Sequence, residues 1–165
     1  MEILKHARVA LETFLDSHSY DGWDEEVPHS MPVAHPVLIV EDEVLIRIDL
    51  VDTIESGGFL VSECGDGQSA IAIIDQSAEL HALITDIRLG PGPNGWHVAR
   101  YAREKFPDIA VLYITGDSAG LWRDEGVHNS AVLRKPFART QMLEMMVSLL
   151  ADAGCPAVDD PRTGE

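Results

Sequence analysis

The sequence predicts an α/β domain built on a five-stranded parallel sheet with helices on both faces. Three observations predict it. Short apolar runs rich in β-branched residues (VLIV, HALIT, IAVLYIT, AVLR) have the character of strands covered on both faces. Between them, apolar residues recur at helical spacing, so strand and helix periods alternate along the chain. Four of the runs also stop on residues with chemistry to offer: Glu41-Asp42, Asp86, Thr115 and Lys135-Pro136. In an open α/β sheet the carboxyl ends of neighbouring strands line the crevice where ligands bind.

Taken in order, VLIV is the first strand. Val44–Ser56 is a helix with Val44, Ile48, Val51 and Ile54 on one face, stopped by Gly57-Gly58. FLVSE is the second strand, Gly67–Gln76 a helix, HALIT the third strand, and Gly95–Phe106 a helix ended by Pro107. IAVLYIT is the fourth strand and a short helix falls near Ser118–Glu125. AVLR is the fifth strand, and Ala138–Ala151 is a helix with Leu143, Met146, Val147 and Leu150 inward. Strands alternating with helices in this way specify right-handed crossovers.

The chain of 165 residues divides into three segments. Residues 1–36 comprise an amphipathic helix over 2–17, with Ile3, Leu4, Ala7, Ala10, Leu11, Phe14 and Leu15 in one stripe, and an acidic, proline-containing linker. The folded domain is expected over 37–151, and 152–165 is an acidic tail expected to be disordered. The helical stripe has to bury somewhere, and a homodimer through residues 2–17 is one way; docking on the domain is the other.

A formal net charge of −16 argues against nucleic-acid binding, because phosphate backbones attract basic surfaces. It suits partners that are proteins or divalent cations. Apolar stretches are too short for a membrane span, and the N-terminus lacks a basic region followed by an apolar one. The expectation is a cytoplasmic protein, with its two cysteines, Cys64 and Cys155, as free thiols.

Adjacent acids at a strand end repel each other, and Asp86 arriving on a neighbouring strand adds to the conflict. A hard cation with oxygen ligands resolves it; Mg²⁺ (or Mn²⁺) keeps several waters and leaves room for a phosphate oxygen. Lys135 adds a second positive charge. Phosphoryl transfer needs mostly positioning and neutralisation of the phosphoryl oxygens, which a metal and a lysine provide. Asp86 is then the nucleophile, forming an aspartyl phosphate, and Thr115 a hydrogen-bond donor to it.

VLIVEDE, LITDIRL, YITGDS and LRKPF together resemble the receiver domain of two-component response regulators, over about Val37–Ala151. The resemblance implies a flavodoxin-like (CheY-like) fold with strand order 2-1-3-4-5. It implies that Asp86 is the phosphoacceptor, that Glu41, Asp42, Asp86 and the backbone carbonyl of Arg88 bind the metal, and that Thr115 and Lys135 contact the phosphoryl group. Pro136 would follow Lys135 through a cis peptide bond. EDEVLIRIDLVDTIE and the long IRLGPGPNG loop are similar to a stand-alone receiver group of alphaproteobacteria. Three departures stand out. Val132 takes the place, three before the lysine, where the family carries an aromatic switch residue; the IRLGPGPNG loop is about one residue longer than the common form; and the Thr115–Lys135 stretch is short, which implies a reduced fourth helix.

The function implied is that of a single-domain response regulator. A histidine kinase or histidine phosphotransfer protein would donate the phosphoryl group, and output would run through contact with a downstream protein or through draining phosphate from a shared kinase. Arg88 and Asp117, each two residues past a site residue, would rim the pocket and form a salt bridge shielding the acyl phosphate. Two other classes compete. A phosphorylation-independent receiver-like adaptor would keep the fold without the chemistry. A phosphatase with an aspartate nucleophile would need a DxD motif at the first strand end, which EDE is not.

Overall fold

The computed structural model describes residues 35–154. The expected helix over 2–17, its linker and the tail beyond residue 154 lie outside the described residues.

Five strands form one parallel sheet: β1 (Pro36–Val40), β2 (Leu60–Cys64), β3 (Ala82–Asp86), β4 (Ala110–Thr115) and β5 (Ser130–Arg134). Their order is β2-β1-β3-β4-β5, the order that the receiver resemblance implies. Strand parity divides the core. Val37, Ile39, Ile84, Leu112 and Ile114 point to one face, where they meet α1 (Val44–Ser56) and the last helix, α5 (Arg139–Asp152). Leu38, Val40, Leu83, Val111 and Tyr113 point to the other, against α2 (Gly67–Gln76) and α3 (Gly95–Lys105). Strands β3 and β4 are buried at every position, which explains why they read as unbroken apolar runs.

Local chemistry sets the helix ends. The Asp66 carboxylate accepts from the Ser69 amide at 2.8 Å and caps α2; the Asn94 side chain does the same for His97 at 3.0 Å and caps α3. Gly58 closes α1 with φ +86°, a conformation that favours glycine. Lys135-Pro136 is cis.

Two helix faces differ from expectation. In α1, Val44 and Ile48 are 54 and 58% exposed, beside Leu45 at 78%. The inward side keeps Ile54 and the partly buried Val51 as expected and adds Ile46, Leu50 and Thr53. Apolar residues are spread around this helix between Arg47, Asp49, Asp52 and Glu55, so two stripes at helical spacing were available. Thr53 can be buried because its hydroxyl donates to Asp49 O at 2.7 Å. In α5, Met142, Met146 and Leu150 form the buried row, and Val147 is exposed. The stretch after β4 is reduced as expected. It has one 3₁₀ turn (Ser118–Leu121) and one helical turn, α4 (Trp122–Glu125).

Candidate functional site

Four strand ends and their ladders build the site. Opposite Asp86 on β4 stands Ile114, and Val40 of β1 stands opposite Thr85, so Glu41 and Asp86 leave the sheet at the same level. The hydrogen-bond pattern continues past the strands. Glu41 N donates to Cys64 O at 3.2 Å, Ile87 N to Ile114 O at 3.1 Å, and Lys135 N to Thr115 O at 2.9 Å. These bonds fix the backbone of the residues that carry the side-chain chemistry.

Glu41, Asp42 and Asp86 each present a carboxylate oxygen within 4.8 Å of the others. Glu41 is fully buried, Asp86 nearly so, and Asp42 exposed. The Lys135 ammonium bridges the two buried acids, 2.6 Å from Asp86 Oδ2 and 2.7 Å from Glu41 Oε2. Burial pushes the Glu41 carboxyl above its ordinary value, against the pull of the Lys135 ammonium. Burial pulls the Lys135 ammonium down, but its hydrogen bonds to Asp86 and Glu41 outweigh this and hold its pKa above the usual lysine value. Two of the three carboxylates thus share one cation, and the cluster keeps a net negative charge.

The loop after β3 is shaped by the site. The Arg88 amide donates to Asp86 Oδ1 at 2.9 Å and fixes the carboxylate's orientation. Gly95 begins α3 hard against the Asp86 backbone: an added Cβ would lie 2.1 Å from Asp86 O, so no other residue fits without moving the strand end. On the far side Thr115 is buried, and its Oγ1 accepts from the amides of Ser118 at 2.9 Å and Asp117 at 3.3 Å. Arg88 and Asp117 form the expected ion pair across the rim, Nη2 to Oδ2 at 2.9 Å, with both side chains largely exposed. Val132 is half-buried against Tyr113 and its neighbours.

All six residues expected at the site therefore lie at the carboxyl ends of β1, β3, β4 and β5 or in the loops after them. Sequence reasoning missed Arg47. Its guanidinium donates to Glu41 O at 2.7 Å and to Glu63 Oε2 at 2.7 Å, tying α1 and β2 to the acidic strand end. The available signal was a single basic residue one helical turn past three consecutive acids.

Comparison with known proteins agrees with this geometry. The family model "Response regulator receiver domain" matches residues 37–147. The response regulator receiver protein CpdR of Brucella abortus is 30% identical over 119 residues, covering 71% of this chain and 98% of its own. The transcriptional regulatory protein PdtaR of Mycobacterium tuberculosis is 36% identical over 118 residues, covering 67% of this chain. The chain spans 54% of PdtaR's length. A response regulator receiver protein from Sinorhizobium medicae superposes with a TM-score of 0.71 at 36% identity, covering 73% of this chain and 98% of that one. With motif order, strand order and family match in agreement, this chain belongs to the response regulator receiver domain family.

Proposed function

We propose that the chain is a single-domain response regulator whose Asp86 accepts a phosphoryl group from a phosphohistidine on a histidine kinase or histidine phosphotransfer protein. The observation that carries this reading is the meeting of three carboxylates around one ammonium at the strand ends. Hard oxygen donors with surplus negative charge fit a divalent cation. Glu41, Asp42, Asp86 and the backbone carbonyl of Arg88 would hold Mg²⁺, or Mn²⁺ with the same oxygen preference. When bound, the cation supplies charge neutralisation at the phosphoryl oxygens.

The chain's own groups carry the rest. A carboxylate oxygen of Asp86 attacks phosphorus in line, the bond from phosphorus to the donor imidazole breaks, and the electron pair leaves with that imidazole. The product is an acyl phosphate on Asp86. Lys135, already in contact with Asp86 Oδ2, neutralises a phosphoryl oxygen. Among the described residues the Thr115 hydroxyl proton has no acceptor, so it can be given to another. Water later attacks phosphorus, frees Asp86 and releases inorganic phosphate. Exposed Val44, Leu45 and Ile48, just past the acidic pair, support a donor or target that is a protein surface.

Output on this reading is contact with a downstream protein, or drainage of phosphate from a shared kinase, in the cytoplasm. A homodimer through residues 2–17 belongs to the same reading, and a chain that is monomeric both before and after deleting residues 1–30 would remove it. The test of the function is incubation with acetyl phosphate and Mg²⁺. One phosphoryl group should be gained, and a chelator should abolish the gain. No uptake from acetyl phosphate or from a phosphorylated phosphotransfer protein would overturn the reading in favour of an adaptor.

A further inference from the structure

The segment from Asp117 to Trp122 hangs on two groups that a phosphoryl group on Asp86 would claim. At its start, the Asp117 and Ser118 amides occupy both lone pairs of the Thr115 hydroxyl. Ser118 Oγ donates to Asp117 Oδ1 at 3.0 Å, and the other carboxylate oxygen pairs with Arg88 at 2.9 Å. Thr115 and Arg88 both stand at the rim of the carboxylate cluster.

At its far end the segment is seated on β5. The Trp122 indole N–H donates to Ser130 Oγ at 3.0 Å, and the half-buried ring packs at the edge of the core cluster that contains Tyr113. Gly126 makes room for it, since an added Cβ there would lie 2.5 Å from the ring. Beyond Trp122 the chain is pinned: Val127 N donates to the Tyr113 hydroxyl at 3.2 Å, and Arg100 holds Glu125 at 3.3 Å. Trp122 is the only Phe, Tyr or Trp between Thr115 and Lys135. It therefore joins a segment held by the site to a strand held by the core.

We infer that Trp122 is the residue through which the phosphorylation state of Asp86 reaches β5. A phosphoryl group brings about −1.5 to −2 charges and three strong acceptors. It draws the Thr115 proton and the Arg88 guanidinium, whose fork suits phosphate oxygens. Turning toward it, the Thr115 hydroxyl gives up the Ser118 and Asp117 amides, and Asp117 loses its cation. The 3₁₀ turn then repacks, and the indole leaves Ser130. This rests on the reading of Asp86 as phosphoacceptor and concerns the conformational step after the chemistry.

The test labels the full chain with fluorotryptophan and records fluorine NMR with acetyl phosphate and Mg²⁺, while intact mass reports phosphoryl uptake. The signal lost in Trp122→Phe identifies the residue. As the mass rises, that signal should shift by more than its linewidth. Ser130→Ala should leave uptake unchanged and shift the same signal, before phosphorylation, toward the phosphorylated position. Uptake with an unmoved Trp122 signal overturns the inference and leaves Asp86 as acceptor. Absence of uptake overturns both.

Discussion

Lys135 and Asp86 are 49 positions apart in the chain, yet the lysine Nζ lies 2.6 Å from Asp86 Oδ2. The same ammonium reaches Glu41 at 2.7 Å. Lys135→Ala leaves two buried carboxylates facing each other without a cation, and removing one partner of a buried ion pair typically costs about 3–5 kcal/mol. Lys135 keeps some exposure, so the loss in metal-free urea unfolding should fall toward the lower end, with part recovered on adding Mg²⁺. Phosphoryl uptake from acetyl phosphate should slow by about 10²-fold or more, as for removal of one positioned charge donor. An unchanged uptake rate would remove Lys135 from the chemistry.

The Arg88–Asp117 pair is a rim contact between two largely exposed side chains. Arg88→Ala should change stability by no more than about 1 kcal/mol. Its effect belongs to access: the acyl phosphate on Asp86 loses a cover, and its hydrolysis should quicken several-fold. Following phosphate release after the donor is removed checks this, and an equal half-life would show that the pair shields nothing.

Leu112 lies fully buried at the centre of β4, between α5 and the sheet. Leu112→Ala removes buried methyl groups from a strand that cannot close the gap and should cost about 2–5 kcal/mol in denaturant unfolding. A change below about 1 kcal/mol, roughly the cost of a tolerated swap, would mean that the core repacks freely there.

Burial pushes the Cys64 thiol from 9.0 up to about 11. The neutral thiol is therefore favoured in the folded state. The stability this contributes is fully present below pH 9.0 and is lost as pH rises through about 11. Iodoacetamide labelling of Cys64, followed by peptide mapping, should be much slower in folded than in unfolded chain at about pH 9, because the thiolate is the nucleophile. Equal rates would place the thiol in water.

Most of the site was legible in the sequence because it depends on strand ends. A buried parallel strand shows itself as an apolar run, and the residue after the run is at the crevice by construction. Glu41, Asp86, Thr115 and Lys135 all obey this. Helix faces were less legible. Val44, Leu45, Ile46, Ile48, Leu50, Val51 and Ile54 cover most of the circumference of α1, so spacing alone could not choose between stripes, and packing chose Ile46, Leu50 and Ile54. Arg47 was illegible for another reason: its role needs the ends of β1 and β2 side by side, which only the strand order supplies. The bond from Trp122 to Ser130 appears only once the reduced turn lies over β5.

Whether Asp86 is the acceptor is tested most directly by the intact mass of the chain after acetyl phosphate and Mg²⁺, compared between the native sequence and Asp86→Asn. The predicted result is one phosphoryl group on the native chain, lost at alkaline pH as an acyl phosphate is, and none on the variant. A native chain that takes up nothing, or a variant that takes up as much, would contradict the assignment of Asp86 as the acceptor.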